Sequence, residues 1–493
     1  MTLATLDRPA RRRPALRLQD RDPGIAVLVL ILGLVAAARL AALALSPSEL
    51  GFDEAQYWAW SRDLAFGYFT KPPLIAWAIA LETEVCGQSA ACVRSASPLL
   101  HFATGLCLAA LARRLYGGAA GFWTGLFYTL MPGIAVSSFL MTTDVFLLFF
   151  WSLGLLALVS HLERPRLATA LLFGASVGIG LYAKYAMIYL PILCALVAVA
   201  LPETRPALLR RESLAALALA LLVVSPNLAW NASHSFATFE HTGENIGWSL
   251  SRLNPGKGFE FLAVQFAVAG PVIFGAMLNA LLLGARTEKP RTDALLLWLS
   301  WPVLLAITLQ GFLSQANANW GATAYPAGTV LATALVLRHS GRFFFSANLL
   351  VCGAVSAAIL VGTAVLDPAR VPEPARQLRQ LGGWETTARN LTALARERGA
   401  TRLVIEGRAL TAGLLHPLRD SGLDTRALLP DGARPSDQFE LDRPWRPADG
   451  TAATLFAGLS REEAEALGLR PVGTIEAPIY SQRSGTMRLY GAP

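Results

Sequence analysis

Apolar residues run along this chain in long blocks, and polar residues fall between the blocks rather than alternating within them. Ile25 to Leu45, Val145 to Val159 and Leu214 to Val224 hold almost no charge, and many other stretches resemble them. A block near 20 residues, wound as a helix, matches the roughly 30 Å hydrocarbon core of a bilayer. The pattern predicts about eleven membrane-spanning helices. They fall near residues 25–46, 95–114, 119–139, 144–161, 167–183, 186–201, 213–230, 259–284, 293–312, 321–338 and 344–366.

The basic residues between the blocks give a sidedness. Arg113 and Arg114, Arg164 and Arg166, Arg205 with Arg210 and Arg211, Arg286 with Lys289 and Arg291, and Arg338 with Arg342 all fall in alternate connections. Lys and Arg collect on the cytoplasmic side, so these connections and the N-terminal segment 1–24, with Arg11, Arg12 and Arg13, are expected there. That segment looks like the start of a signal peptide, but the span behind it is longer than an h-region and many further spans follow. It reads as an uncleaved first helix. The opposite side receives loop 47–94, the turns at 140–143 and 184–185, segments 231–258 and 313–320, and everything after 366.

An odd helix count puts residues 367–493 outside the cytoplasm as a soluble domain behind the 25–366 membrane domain. Asp367-Pro368 through Pro374 suits a linker. Beyond it, Thr386–Arg398 reads as an amphipathic helix, Arg402–Glu406 and Thr454–Ala457 as short strands, and Ser460 with Glu463 as a capping box. The expected fold is an α-helical polytopic membrane protein with a small C-terminal extracytoplasmic α/β domain.

Composition agrees. Of 493 residues 54% are hydrophobic and 15% charged, where soluble domains carry about a quarter charged. A formal charge of +8 and a pI near 9.5 raise the question of nucleic acid. Here, however, the arginines sit beside apolar segments and not on an aromatic-studded soluble face, so no nucleic-acid partner is expected. Cys107, Cys194 and Cys352 lie inside apolar segments as small hydrophobes. Cys86 and Cys92 fall in the outer loop, where an oxidising compartment favours a disulfide.

Chemistry concentrates on the outer side. The first loop reads Gly51-Phe52-Asp53-Glu54-Ala55-Gln56-Tyr57-Trp58-Ala59-Trp60 and then Gly67-Tyr68-Phe69-Thr70-Lys71-Pro72-Pro73-Leu74. An acidic pair directly after a membrane span must face water, a cation or a cavity. The plain alternative is an interfacial aromatic belt with wet acids. Against it stands Lys71, held ahead of two rigid prolines where its charge can meet a phosphate. Asp144, at the mouth of the next apolar run but two, reads either as an N-cap or as a site residue. Lys184, before Tyr185, breaks the charge asymmetry and reads either as a phosphate contact or as a snorkelling side chain. Gly174, Gly178 and Gly180 nearby suit close helix packing rather than a phosphate loop. His241, in Phe239-Glu240-His241-Thr242-Gly243-Glu244, reads as a ligand contact or as an ordinary surface histidine.

Asp53-Glu54, Lys71-Pro72-Pro73-Leu74, Asp144, Lys184-Tyr185, Asn319-Trp320 and Ala324-Tyr325-Pro326 follow one another in an order that resembles the family 39 membrane glycosyltransferases of the GT-C type. These are relatives of the protein O-mannosyltransferases and of the lipid A aminoarabinose transferase, and the likeness covers about residues 25–340. It implies transfer of one sugar from a polyprenyl phosphate to lipid A, another envelope glycan, a glycolipid or a protein, on the periplasmic side of a bacterial inner membrane. By the resemblance, Asp53 is the base, with Glu54 and Asp144 orienting acceptor, sugar or cation. Lys71 and Lys184 hold the donor phosphate, Tyr57, Tyr185, His241 and Tyr325 contact substrate, and a single displacement inverts the anomeric centre. Gln56 and Thr70 depart from the aminoarabinose enzymes, which place an Arg shortly after the acidic pair and an acid before Lys-Pro-Pro. No cofactor is assigned. No HExxH or CxxC pattern supports a tightly held metal, and the acidic cluster leaves room for a loosely bound divalent cation.

Two other classes compete. A secondary transporter or lipid flippase also carries many helices and buried charge, but typically shows half-to-half repeats and broken mid-membrane helices, whereas the ionisable residues here gather at one face. A receptor using Asp437, Trp445 and Tyr480 of the tail leaves Lys71 and Asp144 unexplained.

Overall fold

The computed structural model describes residues 21–248, 251, 253–283, 290–339, 341–371, 373–479 and 485–492. Arg11, Arg12, Arg13, Arg286, Lys289 and Tyr480 lie outside them. The described residues pack into two compact units: those within 21–42, 71–75 and 94–361 form one, and those within 43–70, 76–93 and 362–492 the other.

The first unit is helical. Among the described residues seven helices are long and apolar enough to cross a membrane, and eight if the bent pair Tyr185–Ala200 and Pro202–Leu208 counts as one span. The remaining apolar segments are short or interrupted. Leu167–Ala183 has 17 residues. Gly118–Leu130 and Pro132–Ser137 are separated at Met131, which is extended at ψ 133° ahead of Pro132. Pro255–Ala269 and Pro271–Leu283 are separated at Gly270, at φ 85° and ψ 146° ahead of Pro271. Proline disfavours helical geometry in the residue before it, so breaks fall at these two positions. Continuous apolar blocks in the sequence therefore become broken helices.

Helix Leu167–Ala183 lies against helix Arg211–Ser233 through small residues. A methyl group at Gly178 would stand 2.8 Å from Val223 Cβ, so only glycine permits this approach. The helix ends at Ala183, and Lys184 follows in extended geometry at φ −160° and ψ 135°.

The second unit is built on a six-stranded sheet: β1 (Arg402–Ile405), β2 (Asp424–Leu428), β3 (Pro444–Trp445), β4 (Thr454–Ala457), β5 (Arg470–Glu476) and β6 (Thr486–Gly491). Their spatial order is β3-β2-β1-β4-β6-β5. The first four are parallel, and β4–β6 and β6–β5 are antiparallel. Strand alternation gives the sheet two buried faces. Leu403, Ile405 and Leu455 pack with Trp384, Leu391 and Leu414 on one face, while Val404 and Phe456 pack with Trp445 and Leu459 on the other. The capping box at Ser460 and Glu463 is present and opens helix Arg461–Ala466.

Part of segment 47–94 belongs to this unit. The Glu49 carboxylate accepts the backbone N–H groups of Gly383, Trp384 and Glu385 at 3.2, 2.6 and 3.0 Å, closing the N-terminus of helix Trp384–Glu397. The Phe69 N–H donates to Gln438 Oε1 at 2.7 Å. The Trp58 indole donates to Gln88 Oε1 at 2.7 Å, and its ring meets His416 edge-on. Cys86 and Cys92 are joined by a disulfide with their α-carbons 5.7 Å apart, which closes the segment that carries Gln88.

Burial pushes the His416 imidazole down to about 4, against the opposing pull of its contact with the Gln88 carbonyl at 2.7 Å. The unfolded chain therefore takes up this proton first as pH falls. The contribution to stability is complete above the ordinary histidine pKa and is lost as pH falls from there toward 4. The expected slope is at most about 1.4 kcal/mol per pH unit. Melting temperatures between pH 7 and 4.5 check this: the wild type should lose stability in that window, and His416→Asn should lose less.

Candidate active site

The acidic pair divides by local geometry. Helix Phe52–Trp60 begins after Gly51, and the Glu54 carboxylate turns back to accept the Gly51 N–H at 3.0 Å. This is the acid half of a helix-capping arrangement, and Glu54 is buried. Asp53, one residue earlier, points elsewhere and keeps 54% of its side chain exposed. Consecutive helical residues project about 100° apart, so one carboxylate serves the fold while its neighbour meets solvent.

Asp53 does not stand alone. Arg408 Nη1 donates to Asp53 Oδ1 at 3.0 Å and to Gln56 Oε1 at 2.8 Å, and its guanidinium lies 5.6 Å from the centre of the Phe52 ring. Gln56 is buried and its amide nitrogen is 3.5 Å from Thr70 Oγ1. The two positions that depart from the aminoarabinose pattern, Gln56 and Thr70, thus face each other, and Gln56 receives an arginine from the far end of the chain. Arg408 was not among the residues expected from sequence. Its local signal is a Gly-Arg step directly after β1, where Gly407 adopts φ 92° and helix Arg408–Leu415 begins. Tyr57 is 6% exposed and packs on Trp60, whose ring stacks on Tyr68.

In the first unit, three of the marked motifs meet. Asp144 lies in the first turn of helix Thr143–Glu163 and is buried. Its Oδ1 accepts from Lys184 Nζ at 2.7 Å and its Oδ2 from Asn319 Nδ2 at 2.7 Å. The N-cap position belongs to Thr142, and the recorded partners of both Asp144 oxygens are side chains. The ammonium of Lys184 is held by this carboxylate rather than reaching freely for the interface. Its side chain keeps 23% exposure. An ammonium has three donors, so Lys184 retains hydrogen-bonding capacity for an anion. Lys71, also in this unit, is half-buried ahead of buried Pro72 and Pro73.

Tyr185 donates to Asn227 Oδ1 at 2.8 Å, accepts from Asn231 Nδ2 at 3.1 Å, and stacks on Phe239 with ring centres 4.8 Å apart. His241 lies on helix Ala237–Ile246 and is half-buried. Tyr325 is buried and donates to Gln265 Oε1. Among the described residues no group of three or more His, Cys, Asp and Glu side chains is placed to hold a metal ion.

The helical unit and the small sheet unit together make up the fold of a GT-C membrane glycosyltransferase. Residues 70–230 match the family model described as dolichyl-phosphate-mannose-protein mannosyltransferase. The chain is 36% identical over 419 residues to a lipid A galacturonosyltransferase of Rhizobium johnstonii, covering 85% of this chain and 88% of that protein. A lipopolysaccharide core galacturonosyltransferase of the same organism is 29% identical over 238 residues, 47% of this chain and 48% of the other. The fold resembles that of ArnT from Cupriavidus metallidurans, solved with undecaprenyl phosphate, at a TM-score of 0.66 and 16% identity, covering 95% of this chain and 98% of that one. The chain belongs to the GT-C membrane glycosyltransferases. It is a multi-pass membrane enzyme.

The Asp144–Lys184 pair is testable through stability. Asp144→Ala strands a part-buried cation and should cost roughly 2 kcal/mol, while the double variant with Lys184→Ala should regain part of that loss. A double-mutant cycle of thermal unfolding in detergent measures the coupling, and additive losses would deny it.

Proposed function

We propose that this enzyme transfers one galacturonosyl residue from a polyprenyl phosphate to lipid A on the periplasmic side of the bacterial inner membrane. The observation that carries the reading is the 36% identity along 85% of the chain to a lipid A galacturonosyltransferase. The sugar has support from two relatives that differ in acceptor, and the acceptor from one of them. A polyprenyl-phosphate donor is supported by the shared fold with a protein solved holding undecaprenyl phosphate. Family membership leaves the transporter reading without support.

The chemistry suits these residues. The acceptor hydroxyl attacks the anomeric carbon while the bond from that carbon to the phosphate oxygen breaks through an oxocarbenium-like state. The phosphate leaves with the bonding electron pair, and the configuration inverts. Asp53, exposed and held in place by Arg408, takes the hydroxyl proton. Lys71 and Lys184 meet the charge that develops on the departing phosphate, with Asp144 and Asn319 fixing the Lys184 ammonium. Glu54 shapes the helix start that presents Asp53, and Tyr185 and His241 contact substrate.

In a strain lacking the gene, mass spectrometry of lipid A should show loss of one hexuronosyl residue. The wild-type gene should restore it. Asp53→Asn should reach the membrane normally and fail to restore it; full restoration would remove Asp53 from the mechanism.

A further inference from the structure

Arg408 occupies a place in the sheet where ligands are expected. Strands β1, β2 and β3 progress toward one edge, and the chain then returns to lay β4 on the other side of β1. In open α/β sheets, ligands bind outside the carboxyl ends of the strands at this reversal. Both chain exits there turn on glycine, Gly407 at φ 92° after β1 and Gly458 at φ 87° after β4. A methyl group at Gly458 would press on the Glu406 carbonyl, so the two exits approach closely. Arg408 is the first residue of the helix that leaves this crevice.

Only one guanidinium nitrogen is used. Nη1 serves Asp53 and Gln56, and among the described residues Nε and Nη2 have no hydrogen-bond partner. The side chain is 36% exposed. Three N–H bonds of a planar fork therefore remain open beside the exposed carboxylate of Asp53, in the shape that pairs with a second carboxylate. A donor sugar that carries its own carboxylate brings negative charge toward Asp53 and Glu54 and needs a cation there.

We propose that Arg408 is a specificity-determining residue that binds the C6 carboxylate of an acidic donor sugar through its free Nε and Nη2 groups. This rests on the galacturonosyl reading given above. Arg408 would bridge the substrate carboxylate and Asp53, selecting uronic acids over neutral hexoses.

The test uses the full chain in lipid nanodiscs with two donors that differ only at C6, polyprenyl phosphate–galacturonic acid and polyprenyl phosphate–galactose. Turnover is measured for each, and binding by displacement of a fluorescent polyprenyl phosphate, so that a donor bound without turnover still registers. Arg408→Gln should lower the uronate-to-neutral preference by roughly 50-fold, the worth of a lost charge-assisted pair. Arg408→Lys, which keeps the charge without the fork, should fall between. It also carries the test should the Gln variant fold poorly, as judged from its melting temperature. An unchanged preference, with both donors weakened by one factor, would overturn the proposal and leave Arg408 serving Asp53 alone. Absence of any uronate preference in the unmodified protein would instead overturn the assignment of the sugar, before any substitution is made.

Discussion

A charged side chain at the end of a hydrocarbon-length helix persists only where an opposite charge or a hydrogen-bond partner meets it, and this constraint organises the membrane unit. Asp144, Lys184 and Asn319 come from three separate segments and satisfy one another, with both carboxylate oxygens at 2.7 Å from nitrogen. The same logic operates elsewhere in the unit, where Asp293 accepts from the Tyr116 hydroxyl and, through both carboxylate oxygens, from Arg338 Nη2. Each pair fixes helix rotation, because a turned helix would leave a charge facing lipid or apolar side chains at a cost of several kcal/mol. A carboxylate held between an ammonium and an amide is also already oriented before substrate arrives. Part of the order in this cluster is thus provided by the requirement to neutralise charge.

Backbone geometry does comparable work in the second unit. Adjacent acids in a sequence look interchangeable, yet the start of a helix gives them different tasks: Glu54 reaches back to the Gly51 amide and Asp53 cannot. Exposure follows from that division, and with it the choice of which acid is available to a substrate. The segment around the pair is anchored by contacts distant in sequence, Glu49 under helix Trp384–Glu397 and Gln438 at Phe69. The loop that carries the candidate base is therefore part of a folded unit rather than a free connection.

What could be read from the sequence was whatever is encoded locally. Apolar blocks gave the helical unit, β-branched and aromatic runs gave β1 and β4, and Ser460 with Glu463 gave a helix start, because each signal lies within a few residues. Helix continuity was harder to read, since Pro132 and Pro271 interrupt apolar blocks without changing their hydropathy. Nor is the packing of the Tyr57 ring on Trp60 encoded within the motif that carries it. The arginine beside Asp53 was invisible. It lies 355 positions away in a region where the arginines resemble solvated surface, and only the assembled sheet shows that a turn after β1 delivers it there.

That delivery gives the sheet a reason to be where it is in the chain. An exposed aspartate at the start of a short helix has little to hold its side chain, and a conformationally free base is poorly oriented for proton transfer. Arg408 supplies a restraint from a rigid element, since its helix is seated by Gly413 against the Trp384 ring and its strand is hydrogen-bonded on both sides. A lysine inserted into the first loop could supply the charge but not the fixed planar fork, and a loop arginine could supply the fork but not the fixed position. Placing the guanidinium at the carboxyl edge of a parallel sheet meets both requirements.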